Sequence, residues 1–140
     1  MPPISALREA NLSYNSIAVI DDLSQHPNLA VLDLSDNQIT RISGLDALRL
    51  LFCLNLDHNA ISSVDGIPPL PVKELGLASN EIGSLCGLSG CVHVEVLRVG
   101  SNDICSLEGV ENMKGLRVLD ASDNKLRSMD DVQVFFPSYS

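Results

Sequence analysis

The chain has 140 residues, of which 45% are hydrophobic and 19% charged, so it can bury one continuous core. Its formal net charge of −9 comes from eighteen acidic and nine basic side chains. That balance argues against nucleic acid as a partner, because phosphate backbones bind clustered lysine and arginine. No apolar run reaches the roughly 18 residues that a transmembrane helix needs, so no membrane partner is expected.

One nine-residue phrase, L-x-x-L-x-L-x-x-N, recurs along the chain, and its clearest copy runs from Leu51 to Asn59. The asparagines that end the copies recur at steps of 22, 22, 21, 22 and 22 residues: Asn15, Asn37, Asn59, Asn80, Asn102 and Asn124. A fixed period of this kind is typical of a solenoid, in which each repeat forms one coil. We therefore interpret residues 1–140 as a single domain of about six coils. Its repeats begin near residues 7, 29, 51, 72, 94 and 116, and a partial seventh repeat or cap occupies residues 136–140.

Each repeat has two halves with different periods. The first half alternates apolar and polar residues, which predicts a short strand with one buried face, and stacked coils then form a parallel sheet. The second half steps by three, which predicts a 3₁₀ or helical turn or an extended arc on the opposite side. Glycine at 44, 66, 87 and 109 predicts a positive φ in the return segments. The prolines within residues 68–71 predict a flatter, non-helical arc in the third repeat.

The repeated asparagine is expected to have a structural role at all six positions. Its carboxamide offers two N–H donors and an oxygen acceptor. Turned inward, it can bind backbone groups of its own coil and of the next coil that would otherwise be buried without partners. We predict that Asn59→Ala or Asn80→Ala lowers the free energy of unfolding by roughly 1–3 kcal/mol.

The repeated phrase resembles the leucine-rich repeat family over residues 7–135, and specifically its 22-residue class. That class includes the leucine-rich regulatory subunit of type-1 protein phosphatase and an axonemal dynein light chain. The resemblance implies an α/β fold: a right-handed solenoid with a parallel β-sheet on its concave face and short 3₁₀, helical or extended segments on its convex face. It also implies a non-catalytic role, in which a protein partner is bound on the concave sheet.

Carried over by position, the outward residues of the strands and of the edge beside them form the expected partner-binding set. Its members are Tyr14, Val31, Asp33, Asp36, Cys53, Asn55, Asp57, His58, Glu74, Val96, Arg98, Val118 and Asp120. The first outward column is expected to expose four apolar side chains as the centre of an interface: Val31, Cys53, Val96 and Val118. The alternative is that β-branched residues simply suit strands. Because acids dominate the early repeats, the partner is expected to present a basic patch.

No catalytic residues, metal site or cofactor are expected from the sequence. His58 and Asp57 are adjacent, but on an open sheet they are interpreted as solvated surface groups. The four cysteines do not form the close pairs of a zinc site, and reduced thiols predict a cytoplasmic protein, with nuclear and flagellar or cytoskeletal locations left open. Neither end carries a polar cap, so the chain is expected to be either a monomer cut from a longer protein or self-associated end to end through its terminal coils.

Two functional hypotheses remain open at this point. The first is a protein–protein interaction scaffold of eukaryotic style, with regulatory and cytoskeletal or axonemal adaptor roles both included. The second is a structural leucine-rich segment of a larger multi-domain protein whose activity lies elsewhere. A phosphatase regulatory subunit is a further alternative.

Overall fold

One strand per repeat organises the chain, and the computed structural model describes residues 6–129 and residue 132. The six strands are β1 Glu9–Asn11, β2 Val31–Asp33, β3 Cys53–Asn55, β4 Glu74–Gly76, β5 Val96–Arg98 and β6 Val118–Asp120. They form a single parallel sheet in chain order, with equivalent positions of neighbouring repeats paired. The predicted leucine-rich repeat solenoid with its parallel sheet is therefore confirmed. The predicted partial seventh repeat at 136–140 lies outside the described residues.

The core is a stack of apolar layers, one from each coil. The central residue of each inner strand points inward, as does the next leucine or valine; Leu54 and Leu56 are 1% and 0% exposed. Apolar residues of the return segment, such as Ile61 and Val64, meet them from the other side of the same core. Burying one such side chain stabilises the fold by about 1.5–3 kcal/mol, and only the neighbouring coils can supply the cover.

The return segments contain turns in which a backbone N–H donates to the carbonyl three residues earlier. In the second repeat, Leu48 N–H donates to the Leu45 carbonyl at 3.1 Å, and Leu51 N–H donates to the Leu48 carbonyl at 3.2 Å. Among the described residues, only the fourth repeat tightens into a 3₁₀ helix, Cys86–Leu88. In the third repeat Leu70 N–H donates to the Pro68 carbonyl at 2.8 Å, and the segment contains no helix, so the predicted non-helical arc is confirmed. No helix in the described part is long and apolar enough to cross a bilayer.

Three of the four return-segment glycines adopt the predicted positive φ. The angles are 73° at Gly44, 97° at Gly66 and 112° at Gly109. The prediction is wrong for Gly87, which lies inside the 3₁₀ helix without a positive φ. Glycine is needed there for a different reason, since a Cβ would lie 2.8 Å from the carbonyl group of Val64 in the preceding coil. Close coil-to-coil approach therefore selects glycine at this position.

His26 lies one repeat before Leu48, at the equivalent position of the first repeat, where Leu48 is fully buried in the core. The side chain is half-buried, and its Nδ1 is buried with no hydrogen-bond partner among the described residues. Leaving a buried polar atom unpaired destabilises the folded state.

We expect His26→Leu to raise the free energy of unfolding by about 1–2 kcal/mol, because leucine removes the orphaned nitrogen and extends the apolar layer. Urea unfolding of the wild-type chain and the variant measures the difference. His93→Leu, at an exposed turn position, is the matched control and should give no gain. An unchanged or lower stability for His26→Leu would show that the imidazole is satisfied in solution.

Candidate functional site

The asparagines join each coil to the one before it. Asn59 Nδ2 donates to the carbonyls of Leu34, Leu56 and Asp57 at 3.0, 3.1 and 3.3 Å. Its Oδ1 accepts from Ile39 N–H at 3.0 Å. Equivalent bonds are made by Asn37, Asn80, Asn102 and Asn124. The expected bonding to the next coil is wrong in direction, because these side chains reach the preceding coil. They fix the end of each strand in space, and with it the outward side chains.

The residue before each asparagine turns the backbone sharply. All six such residues have a left-handed conformation with φ between 52° and 56°: Tyr14, Asp36, His58, Ser79, Ser101 and Asp123. The repeated phrase alone does not predict this conformation. The available signal is the short polar residue at most of these positions, because Asp, His and Ser tolerate this region better than bulky residues do. Tyr14 is the only bulky aromatic residue among these six, and its side chain is 81% exposed at the edge of the sheet.

Four residues of the second outward column shape the strand end with their own side chains. In each, the side-chain oxygen accepts the backbone N–H two residues later, at 2.9–3.1 Å, which is an Asx turn. These residues are Asn11, Asp33, Asn55 and Asp120. At Asp120, hydrogen bonds from the Ser122 hydroxyl and N–H hold the pKa of the carboxyl below its usual value. Three members of the predicted binding set, Asp33, Asn55 and Asp120, therefore also have a structural task.

The fourth repeat lacks this Asx turn because its second outward residue is Gly76. The Ala78 N–H donates instead to Asp57 Oδ1 of the preceding coil, at 2.8 Å. A Cβ on Gly76 would lie 2.8 Å from that same oxygen, so only glycine leaves the carboxylate its place. Burial raises the pKa of Asp57, and the Ala78 hydrogen bond opposes the shift. Asp57 is therefore a half-buried carboxylate near the centre of the sheet whose pKa is raised by burial.

We expect Asp57→Asn to be at least as stable as the wild-type chain at neutral pH, and Asp57→Ala to be less stable by about 1 kcal/mol. Asparagine keeps an oxygen for the Ala78 N–H while it removes a charge that is costly to bury; alanine removes the acceptor as well. Urea unfolding of the three proteins at pH 7 gives the order.

The pH dependence of this difference has a defined sign. Because the folded-state pKa of Asp57 is raised above its unfolded value, the ionised carboxylate disfavours the folded state above that pKa. The penalty disappears as the pH falls through the folded pKa, so the advantage of Asp57→Asn should shrink on acidification. An advantage that grows toward low pH would contradict this assignment.

The first outward column exposes less apolar surface than predicted. Val96 is only 4% exposed and lies between Glu74 and Val118 of the neighbouring strands. The expectation that four apolar members face water is therefore wrong for Val96. Val118 is 38% exposed, and Val31 and Cys53 are half-buried. The Cys53 thiol donates to Glu74 Oε2 at 3.8 Å, and burial together with the Glu74 carboxylate raises its pKa, which disfavours a reactive thiolate.

A further column at the start of the strands is absent from the predicted set. Phe52 is 47% exposed there, and Lys73 and Arg117 flank Glu95 at 3.4 and 3.6 Å. The signal for this column is the second position of the repeated phrase, where a large apolar residue stands among charged ones. These surface ion pairs contribute little stability. They line one border of the sheet, and Phe52 adds an exposed aromatic ring to it.

Acidic groups dominate the outward face. The acids of the outward columns and the edge are Glu9, Asp33, Asp36, Asp57, Glu74, Asp120 and Asp123, and the only arginine or lysine among these positions is Arg98. His58 stands exposed at the edge. Within residues 6–129, no group of three or more His, Cys, Asp or Glu side chains could hold a metal ion. The face offers negative charge and hydrogen-bond acceptors on a fixed sheet.

Known leucine-rich repeat proteins resemble this chain in sequence and in structure. A family model described as Leucine Rich repeats (2 copies) matches residues 5–49. No curated protein sequence matches the chain. An internalin from Listeria monocytogenes superposes with a TM-score of 0.82 at 19% identity, over 96% of this chain and 40% of that one. A leucine-rich repeat protein from Leptospira interrogans gives 0.84 at 24% identity, over 97% and 37%.

A third structure, the complex of TLR13 with ssRNA13, superposes with a TM-score of 0.76 at 28% identity, over 88% of this chain and 19% of TLR13. The chain spans about two fifths of the length of the Listeria and Leptospira proteins. The recurring phrase, the sheet with one strand per repeat and these matches together show that the chain has a leucine-rich repeat fold.

Proposed function

We propose that the chain is a non-catalytic protein-interaction module whose concave sheet binds a basic surface of a protein partner. The observation that carries this proposal is the charge of the outward columns and the edge, on which seven carboxylates stand against Arg98. The border column beside them adds one acid, Glu95, and three bases, Arg8, Lys73 and Arg117, so the surplus stays negative. Complementary charge speeds association and selects against acidic partners. The same charge disfavours a nucleic-acid backbone.

The rigidity of the face supports the proposal. Asx turns, the asparagine bonds to the preceding coil and the left-handed edge residues fix the backbone that carries the outward side chains. A surface that is ordered before binding loses less conformational entropy on association. The exposed Tyr14 and Phe52 add aromatic side chains at opposite borders of the sheet, and aromatic side chains are enriched at protein interfaces.

The compartment and the finer role are part of the same proposal. All four cysteines are free thiols, which supports a reducing, cytoplasmic location. Regulatory binding to a phosphatase catalytic subunit and a cytoskeletal or axonemal adaptor role are its finer forms, and the identity of the captured partner separates them.

The test compares two charge-reversal variants in affinity purification from source cells with mass spectrometry. Asp36→Lys with Glu74→Lys changes the concave face, and Asp46→Lys with Asp65→Lys makes the same change in net charge on exposed return segments. We expect the concave variant to lose the basic partner at least about tenfold, while the control retains it.

Circular dichroism and urea unfolding establish that both variants are folded before the comparison is made. Equal capture by both variants, or equal loss by both, would place the partner away from the sheet. A captured partner without a basic surface would contradict the proposal on charge.

A further inference from the structure

The outward face of the sheet has a notch over Gly76. Its cavity of about 170 Å³ is lined by Cys53, Asn55, Asp57, Glu74, Gly76 and Arg98. The notch exists because Gly76 has no side chain, whereas the same column carries Asn55 on one neighbouring strand and Arg98 on the other. Since adjacent strands lie about 4.8 Å apart, those two residues flank a gap on the order of 10 Å between their Cα atoms.

Two side-chain oxygens converge on this gap. A Cβ on Gly76 would lie 2.8 Å from Asp57 Oδ1 and 3.1 Å from Asn55 Oδ1. Each of these oxygens already accepts one backbone N–H, from Ala78 and from Asp57 respectively. A carbonyl or carboxylate oxygen can accept two hydrogen bonds, so both retain acceptor capacity. A ligand group with several N–H donors would match them.

The charges around the notch select the ligand further. Asp57 and Glu74 contribute two negative charges and Arg98 one positive charge, so the lining has a surplus of one negative charge. Burial raises the pKa of the Asp57 carboxyl, and a carboxyl with a raised pKa beside a cleft is a common feature of binding sites. One bound cation would neutralise the lining, whereas Arg98 would repel a second.

We propose that the notch over Gly76 receives one lysine or arginine side chain of the protein partner, with Asp57 and Asn55 accepting its N–H groups. This inference rests on the proposed function and deepens it, since it assigns the point at which the basic surface is anchored. The lysine and arginine forms share the same chemistry, an alkyl chain ending in a cationic donor group.

The test is a titration of the full 140-residue chain followed by ¹⁵N–¹H NMR. The probes are N-acetyl-lysine amide and N-acetyl-arginine amide, and N-acetyl-norleucine amide is the uncharged control of similar shape. We expect saturable shifts at the Gly76 and Ala78 amides with at least one cationic probe, at a Kd on the order of 10 mM. The norleucine probe should leave these amides unshifted.

Variants separate the notch from the general charge of the face. Asp57→Asn, which keeps the acceptor for Ala78 N–H, should raise the Kd at least about threefold. Glu9→Gln makes the same charge change on β1, outside the notch, and should leave the Kd unchanged. Gly76→Asn fills the notch with the residue type that forms the Asx turn in other repeats, and it should abolish the saturable shifts.

The proposal is overturned by shifts that the norleucine probe reproduces, by equal weakening from Asp57→Asn and Glu9→Gln, or by the absence of localised shifts. The titration needs no partner, so it fails independently of the proposed function. A negative titration beside a positive charge-reversal experiment removes the notch and keeps the concave interface. The reverse result keeps the cation site and removes the basic protein partner.

Discussion

Replacing Asn102 by alanine is expected to lower the free energy of unfolding by about 3 kcal/mol, because at one buried site Ile82 N–H loses its acceptor and three carbonyls each lose one of two donors. Asn102 is 8% exposed. Its Nδ2 donates to the carbonyls of Leu77, Val99 and Gly100 at 2.9, 3.0 and 3.1 Å. Its Oδ1 accepts from Ile82 N–H at 3.0 Å. Alanine leaves Ile82 N–H buried without an acceptor, whereas the three carbonyls keep hydrogen bonds from Asn80 Nδ2, Asn124 Nδ2 and Ser79 N–H. Urea unfolding followed by circular dichroism measures the loss.

The matched control for this experiment is Asn15→Ala. Asn15 is exposed and donates only within its own coil, to the Leu12 and Ser13 carbonyls. Water can replace it, so a loss below about 1 kcal/mol is expected. Equal losses at both positions would show that the asparagine acts through local turn propensity and not through the bonds between coils.

Gly109→Ala is expected to lower the free energy of unfolding by about 4 kcal/mol or more, which is enough to prevent folding of a marginally stable domain. Gly109 has a φ of 112°, a conformation that a residue with a Cβ rarely adopts. A Cβ there would overlap the Leu85 carbonyl and the Cys86 Cα of the preceding coil. Because both contacts are with backbone, the coil itself would have to move. Circular dichroism and thermal unfolding show the result.

Gly83→Ala is the control for Gly109→Ala. A Cβ on Gly83 meets nothing within 4 Å, and its φ is ordinary for an L-residue. Alanine there reduces the entropy of the unfolded chain, so stability should be unchanged or higher by about 0.5 kcal/mol. A Gly109→Ala variant as stable as Gly83→Ala would mean that the coils are free to separate at this point.

The repeated phrase predicts the sheet because each coil repeats the same burial problem. The position of Leu54 in its alternating pattern is sufficient to place the side chain inward, and the same rule holds in register for Leu32 and Leu75. The non-helical segment at residues 68–71 could also be predicted, since proline lacks a backbone N–H donor whatever its neighbours are. Features set by a single residue type within one coil could therefore be predicted from the sequence.

Features that depend on two coils could not be predicted in the same way. The environment of Asp57 depends on Gly76 and Ala78, which lie about one repeat further along the chain. Val96 is buried between Glu74 and Val118, which lie on neighbouring strands. The spacing of residues within one repeat does not predict which residues of different coils meet. The notch over Gly76 belongs to this class, because a glycine in a strand becomes a site only when the residues across it are known.

Each strand contacts only the strands of the adjacent coils within the described part of the chain. Opening a terminal coil therefore breaks one stacking surface, whereas opening a central coil breaks two. Amide hydrogen exchange should accordingly be slowest near β3 and β4 and should quicken toward both ends. A partner bound across several strands would keep those coils stacked, and it would therefore slow amide exchange in neighbouring coils that it does not touch.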